Sequence, residues 1–438
     1  MGLAECMATA QIIASNPVLN EPDEVQNIYF WLLYHYVKIA GFTRQKYVKA
    51  QIENYKSMLV GEKDGISLLK RSVSVESLED YRFLIPLDYL HVLGYDKLRV
   101  YGKGSEKAVS AMCRELNIRK EVLWNILYLR NGNHAAWRKL SNDLNYIHFQ
   151  DYLNRVRNNV EFMQKHPEHI LVTATMSAGK STFINALTGK KINRSQNMAC
   201  TAKVHSIIAK PFEDGMIGEV DYDFTLNATQ QQLMEDHTQN NGEILVNTYF
   251  SGQLGGKRVI IEDSPGVNYS VDVSHKVIAE KKIASGKYDL VLFVLDATQL
   301  HTDDMKSHLE FVQKHLGRRK ILFVLNKIDG FNASEDDFDQ TIKKLTNTLE
   351  ELGYKQPVIC PVSARAAVLA KQVANGEELS RYNQRVYENE KLRFEEMNII
   401  PHEEYLFQGE VEALLERCGM SYVEKKICEM LNNKGGML

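Results

Sequence analysis

The first third of the chain has apolar residues at every third or fourth position. Between residues 25 and 37 these positions are Val25, Ile28, Tyr29, Leu32, Leu33, Tyr36 and Val37. The segment from Val48 to Leu59 repeats the spacing, which is typical of helices that bury one face. Residues 1–140 are therefore predicted to form a helical N-terminal domain, and the pattern does not specify its role.

From about residue 141 the pattern changes. After one more helical stretch come six short apolar runs: HILVTAT, VHSIIAK, RVIIED, YDLVLFVLD, RKILFVLNK and QPVICPVS. Continuous runs of this kind suit strands buried on both faces, and the helix-length segments between them indicate βαβ units. We expect residues 141–438 to form a three-layer α/β domain with a mostly parallel sheet. It would have a leading helix, a helical insertion near 366–405 and a closing C-terminal helix.

Composition and charge limit the kinds of partner and site that the sequence indicates. The net charge of the 438 residues is -3, which gives no overall attraction to polyanions. The six cysteines include no CxxC pair, so neither a zinc site nor a disulfide framework is indicated. No apolar run approaches the roughly 20 residues that span a bilayer. We expect a cytoplasmic protein, with peripheral contact at the inner face of the membrane left open.

The stretch TATMSAGKSTFINALTG, residues 173–189, directly follows the first predicted strand and precedes a helix. In a phosphate-binding loop, backbone N–H groups and the helix dipole face the phosphates. Lys180 would reach the terminal phosphates, the Ser181 hydroxyl would bind Mg²⁺, and Gly179 would allow close backbone approach. Ala174 stands where a glycine is expected, which is tolerable only if its φ is negative.

A second motif, DSPG at residues 263–266, closes the run RVIIED. Asp263 could hold Mg²⁺ through water, and the Gly266 N–H could sense a γ-phosphate. Ligands of parallel sheets bind beyond the carboxyl ends of the strands, so this motif is expected beside the phosphate loop.

Two further motifs suit a guanine base. NKID, residues 326–329, closes RKILFVLNK, and SAR, residues 363–365, follows QPVICPVS. Asp329 could accept from guanine N1 and N2, Lys327 would lie along the base, and the Ala364 N–H could reach O6. Each motif alone is a common turn or helix cap. Four of them in order, each at the same edge of one sheet, predict a guanine-nucleotide site.

The set SAGKST, DSPG, NKID and SAR resembles a translation-factor-class GTPase, and residues 173–189 with VSARAAVLAK resemble the bacterial dynamin-like large GTPases. The resemblance covers roughly residues 145–438. It implies a P-loop GTPase that uses Mg²⁺ to hydrolyse GTP to GDP and phosphate, stimulated by self-association. The nucleotide-binding residues would be Ser177, Ala178, Gly179, Lys180, Ser181, Thr182, Asn326, Lys327, Asp329, Ser363 and Ala364.

The resemblance also implies a switch threonine, for which Thr201 in NMACTAKVHS is best placed. The implied catalytic residues are Ser177, Lys180, Thr201 and Gly266. The implied Mg²⁺ ligands are Ser181, Thr201 and Asp263, and Ser177 could help to bind a monovalent cation. Met176 replaces the water-orienting glutamine of eukaryotic dynamins, so slow hydrolysis by the monomer is expected.

Partners and use stay open at this point. A homodimer or a pair with a related GTPase subunit is implied, and membrane contact is an alternative. The 70 or so residues after SAR are too few for the long helical stalk of membrane-remodelling dynamins. Two other hypotheses are a GTP-controlled binding switch with little hydrolysis, and a ribosome-assembly GTPase that reads RNA through residues 105–130. Those residues are predicted as helix, turn and helix, which any helical hairpin shares, so nucleic acid is not the expected partner.

Overall fold

The computed structural model describes residues 7–61, 78, 81–129, 131–175, 177–192, 205–221, 224–234, 244–264, 277, 280–284, 287–300, 302–331, 338–397 and 409–433. The N-terminal part is helical, as predicted. Its helices are α1 Asp23–Ala40, α2 Lys46–Leu59, α3 Ile85–Val92, α4 Lys97–Val100, α5 Lys103–Glu115, α6 Lys120–Leu129, α7 His134–Ser141 and α8 Gln150–Gln164.

Helix α1 shows why the apolar spacing predicted this region well. Pro22 immediately precedes it, and Asp23 begins it with a negative charge that interacts favourably with the positive end of the helix dipole. Its predicted apolar face is the buried one, including Tyr29 and Tyr36. Gly41 ends the helix with φ of 81°, a left-handed conformation that glycine adopts without strain.

A nine-stranded sheet follows, in the order β4-β3-β5-β2-β6-β1-β7-β8-β9. Its strands are β1 Glu168–Ala174, β2 His205–Ala209, β3 Gly218–Val220, β4 Phe224–Thr225, β5 Ile244–Thr248, β6 Val259–Asp263, β7 Leu290–Asp296, β8 Ile321–Asn326 and β9 Val358–Val362. All six predicted runs are strands. The pairs from β6 through β1, β7 and β8 to β9 are parallel, which confirms the mostly parallel α/β fold.

Beyond β2, the other end of the sheet was not visible in the sequence as apolar runs. Strand β2 pairs antiparallel with β6 and parallel with β5. Strand β3 then pairs antiparallel with both β5 and β4. Strands β3 and β4 are only three and two residues long, and β5, ILVNT, ends in polar residues, so none of them has the continuous apolar character of the central strands.

Helices of the α/β part are α9 Lys180–Thr188, α10 Gln230–Met234, α11 Asp303–Leu316, α12 Phe338–Glu351, α13 Ala364–Ala374, α14 Arg381–Glu396, α15 Glu410–Arg417 and α16 Met420–Asn432. The prediction of one closing helix is wrong, because α15 and α16 are separate. Gly419 lies between them with φ of 87°, outside the helical region. A periodic apolar pattern runs across such a break without marking it.

Two apolar cores hold the described residues together. One covers both faces of the sheet, and the other joins α1 to α8. The N-terminal segment contacts both parts: the Met7 carbonyl accepts from Asn247 on β5 at 2.7 Å, and the Ala10 N–H donates to Asn159 on α8 at 2.8 Å. The predicted domain division at residue 140 stays a prediction. Among the described helices, none has the length and apolar character needed to cross a bilayer.

Candidate functional site

The predicted phosphate loop joins β1 to α9, and its backbone explains the glycine pattern. Gly179 has φ of 85°, and a Cβ there would lie 2.3 Å from Asn326 Nδ2. Only glycine satisfies both constraints. Ser177 also has positive φ, at 63°. Ala174 is the last residue of β1 and is absent from the positive-φ residues, so the missing glycine costs no backbone strain. Met176 lies outside the described residues.

Lys180 begins α9 and its ammonium pairs with the carboxylate of Asp263 at the end of β6. Strands β1 and β6 are neighbours, with Asp263 opposite Val172. Ser264 fixes the start of the DSPG motif, because its N–H and its hydroxyl both donate to the Val172 carbonyl at 3.1 Å. Lys180, predicted to reach the phosphates, and Asp263, predicted to hold Mg²⁺, are therefore brought together. Gly266 and Thr201 lie outside the described residues.

Asn326 at the end of β8 connects three of the predicted motifs. Its Nδ2 donates to the Ala178 carbonyl of the phosphate loop at 2.9 Å, and its Oδ1 accepts from the Ala364 N–H at 3.0 Å. The side chain is buried, so both bonds are shielded from competing water. The second bond occupies the N–H that was predicted to reach guanine O6. A role for Ala364 toward O6 thus requires Asn326 to release this hydrogen bond.

Lys327 and Asp329 follow in the NKID turn. Lys327 has φ of 65°, and its Nζ donates to Asp296 Oδ2 at 2.6 Å. The stem of Lys327 passes Gly179, with Cε 3.8 Å from where a Cβ on that glycine would lie. Asp329 is half-buried. Its carboxylate makes no hydrogen bond or ion pair within the described part of the chain, so it can accept from a base.

Asp296 is a site residue that the motifs did not indicate. It ends β7 and is buried, and its second oxygen accepts from the Thr298 N–H at 2.9 Å and the Thr298 hydroxyl at 2.6 Å. The signal available in the sequence was the acidic last residue of the run YDLVLFVLD. A carboxylate ending a buried strand is expected at the ligand edge of a parallel sheet.

The SAR loop is held by the closing helices. Ser363 caps α13 by accepting from the Ala366 N–H at 3.2 Å, and its own N–H donates to the Cys418 carbonyl at 2.9 Å. Arg365 donates to the hydroxyl of Tyr382 on α14 at 3.2 Å. Ser363 and Ala364 are fully buried, so Ser363 supports the loop from below. Ser181 and Thr182, in the first turn of α9, are partly exposed.

A second carboxyl group lies near the predicted base-reading edge. Glu390 on α14 is buried, and its Oε2 has no hydrogen-bond partner in the described structure. Burial raises the pKa of Glu390, and the negative charge of Asp329 raises it further. Behind the phosphate loop, Thr173 contacts His308 Nε2 at 2.8 Å, and burial lowers the pKa of that imidazole to about 3. His308 is therefore neutral and structural.

Comparisons with known proteins agree with this geometry. Residues 170–328 match the model of the Dynamin family. A probable transmembrane GTPase FZO-like, chloroplastic, of Arabidopsis thaliana is 25% identical over 205 residues, which cover 47% of this chain and 20% of that protein. Elongation factor 1-alpha of Thermococcus kodakarensis is 26% identical over 205 residues, which cover 46% of this chain and 42% of that protein. The chain thus spans less than half the length of these relatives.

Among solved structures, a variant of Era from Aquifex aeolicus bound to GDP.AlF4- has 17% sequence identity and a TM-score of 0.29, covering 56% of this chain and 60% of that one. Because the TM-score is so low, no property of that structure is assigned to this chain. The family match coincides with the segment in which β1, the phosphate loop, Asp263, Asp296 and Asn326 meet at one sheet edge. Residues 170–328 thus carry the strand-end motifs of a P-loop GTPase domain and are similar to the Dynamin family.

Proposed function

We propose that this chain binds GTP with Mg²⁺ and hydrolyses it to GDP and phosphate, and that self-association stimulates the reaction. The observation that supports the proposal best is the Asn326 side chain, which bonds the phosphate loop at Ala178 and the SAR loop at Ala364. One buried amide thereby sets the distance between the predicted phosphate and base contacts. The family match and the GTPase relatives point to the same activity.

The residues at the phosphate end suit Mg²⁺, which prefers hard oxygen ligands and usually retains water and phosphate oxygens. Ser181 offers a hydroxyl in the first turn of α9, and Asp263 a carboxylate at the end of β6. Bound Mg²⁺ would neutralise charge on the phosphate oxygens. In the structure, Asp263 is neutralised by Lys180. We infer that Lys180 turns from Asp263 to the phosphates when GTP binds.

At the base end, we propose that Asp329 accepts from guanine N1 and N2 and that the stem of Lys327 lies along the base. The carboxylate of Asp329 is unpaired among the described residues, whereas Lys327 is already held by Asp296 at 2.6 Å. The lysine is thus oriented before nucleotide arrives, which reduces the ordering cost of binding. Adenine places its donors differently, so the arrangement favours guanine.

The decisive experiment exchanges the base-reading carboxylate. Asp329→Asn should weaken GTP binding by roughly 100-fold, because two hydrogen bonds to a charged acceptor are lost. The same variant should gain affinity for XTP, whose base carries a carbonyl acceptor at C2 that an amide can pair with. Affinities are measured by titration with fluorescent nucleotide analogues, and hydrolysis by phosphate release.

Asp339→Asn on the exposed surface of α12 is the matched control, and it should leave both affinities unchanged. Lys180→Ala should abolish the binding of GTP by the parent chain and of XTP by the Asp329→Asn variant. If Asp329→Asn bound GTP as tightly as the parent chain, the assignment of the base site would be wrong.

A further inference from the structure

The helical region carries a local charge that the whole-chain value conceals. Residues 97–139 contain ten Lys and Arg against three Asp and Glu, a net charge of +7 in a chain whose net charge is -3. The basic residues are Lys97, Arg99, Lys103, Lys107, Arg114, Arg119, Lys120, Arg130, Arg138 and Lys139. A single-sign concentration of this size marks a surface for polyanions.

Helices α5 and α6 display part of this charge on one exposed hairpin. Tyr101, just before α5, contacts Tyr128 near the end of α6, with ring centroids 6.3 Å apart, so the helices run antiparallel. On α6, Lys120, Trp124 and Tyr128 follow at intervals of four and form one stripe. We call the outward side of α5 and α6, with Tyr101, the hairpin face.

Three aromatic rings on the hairpin face form a row. Tyr128 lies between Tyr101 and Trp124, and the Trp124 ring is stacked with it at 6.0 Å and 30°. The Tyr101 hydroxyl is fixed by the Leu127 carbonyl at 3.1 Å and by the Asn131 amide at 2.9 Å. Tyr128 is nevertheless 42% exposed. The fold therefore holds a large aromatic ring against two others and leaves part of it open to solvent.

Three cations on these two helices are available. Lys103, Lys107 and Lys120 are exposed and make no ion pair within the described ranges. Four of the other cations are paired: Arg99 with Asp96, Arg114 with Glu115, Arg119 with Asp143 and Lys139 with Glu121. The three lysines therefore provide the available positive charge of the hairpin face.

We propose that the hairpin face binds single-stranded RNA, with phosphates on its lysines and a base stacked on Tyr128. Stacking platforms beside a positive track are how proteins bind single strands without sequence preference. An anionic bilayer fits less well, since the described residues of α5 and α6 expose no aliphatic side chain for it to bury. The half-buried Asn125 amide can pair with a 2′-hydroxyl.

The contribution of the lysines on the hairpin face is tested on the full chain. Binding of a labelled, unstructured 12-nucleotide RNA is measured by fluorescence anisotropy between 50 and 200 mM KCl. Affinity should fall with salt, and Lys103→Gln with Lys107→Gln should reduce the slope of log K against log salt by about 1.4, at roughly 0.7 for each phosphate that a lysine no longer neutralises. Lys343→Gln with Lys344→Gln on α12 removes the same charge from another exposed surface. That control should keep the parent slope.

The stacking interaction is tested at one ring. Tyr128→Ala should weaken RNA binding about fivefold or more, whereas Tyr128→Phe should bind as the parent chain does. Unchanged GTP affinity in both variants would show that the fold and the nucleotide site are intact. The proposal is overturned by an absence of RNA binding at 50 mM KCl, by equal loss in the α12 control, or by equal affinity for DNA of the same sequence. Binding to phosphatidylserine vesicles in place of RNA would also overturn it.

Discussion

The carboxylate of Asp296 holds Lys327 in place before any nucleotide is bound. One oxygen accepts from Lys327 Nζ at 2.6 Å, and the other accepts two hydrogen bonds from Thr298. Asp296 is buried and Lys327 is partly exposed. If this ion pair breaks, the Lys327 side chain is therefore the one that moves. We therefore assign Asp296 as a positioning residue, acting on the base through Lys327.

Asp296→Asn should weaken GTP and GDP binding together, by roughly tenfold, because a charge-assisted hydrogen bond is replaced by a neutral one. The base contact is the same in the ground state and in the transition state, so kcat should stay near the parent value. Binding titrations and steady-state hydrolysis separate the two effects. A fall in kcat with unchanged affinity would contradict the assignment.

At this scale the sequence predicts a residue well when a motif fixes its place at a strand end. Asp263 and Asn326 lie where DSPG and NKID predicted, because the carboxyl ends of parallel strands meet at one edge. Asp296 has no motif, since its partner Thr298 is a local contact and Lys327 is 31 positions away. The use of the Ala364 N–H by Asn326 was equally hidden, because it depends on a hydrogen bond between two loops.

Helix α3 shows what periodicity cannot predict at the scale of an element. All eight of its residues are buried, so it has no polar face to set a period. Its Asp88 accepts from Tyr29, Tyr152, Tyr55 and Asn16, the last two at 2.8 Å. These donors come from α1, α2, α8 and the N-terminal segment. One buried carboxylate thereby connects most of the helical region.

This carboxylate makes the stability of the helical region depend on pH. Burial raises the pKa of Asp88 from 3.8 to about 6, against the lowering effect of its donors. Between those values the folded chain holds a proton that the unfolded chain has released, so stability falls as pH rises from about 4 to 6, by roughly 3 kcal/mol. The three tryptophans, Trp31, Trp124 and Trp137, all lie in this region, and their fluorescence during urea unfolding reports on it.

Asp88→Asn should remove that part of the pH dependence, since an amide does not titrate. Tyr55→Phe deletes one donor and leaves the carboxylate, so it should cost about 1 kcal/mol at pH 7 and raise the pKa of Asp88 further. Identical pH profiles for the parent chain and Asp88→Asn would show that Asp88 is not the titrating group.

For the whole molecule, long-range polar contacts connect the helical region to the sheet. Lys210, directly after β2, is fully buried and pairs with Asp214 at 2.9 Å. Asp214 also accepts from the Gln11 N–H at 2.5 Å. In the sequence, β2 comes directly after the segment that contains the predicted switch residue Thr201. The Lys210–Asp214 pair follows the other end of the same strand. The two parts were each predictable from local patterns, whereas this junction joins residues about 200 positions apart.

The proposed self-association is a prediction at the scale of the whole molecule. Of the described side chains, we assign one cation, Lys180, to the phosphates, whereas phosphoryl transfer is strongly accelerated by additional positive charge. A second copy facing the nucleotide could supply it. Specific activity for GTP should then rise by about tenfold or more over a 100-fold increase in protein concentration, by mass action. Light scattering should show dimers over the same range.

The base-exchange variant supplies the control for this prediction. Parent chain at a fixed low concentration is mixed with excess Asp329→Asn chain loaded with XTP, and only GTP hydrolysis is measured. Because the added copy is occupied by XTP and binds GTP weakly, a rise in the rate beyond the GTP hydrolysis of the variant alone comes from its contact with the parent chain. Asp329→Asn chain without nucleotide should stimulate less, since the contact is expected across the occupied nucleotide face. A flat specific activity in both experiments would favour a GTP-controlled binding switch that hydrolyses little by itself.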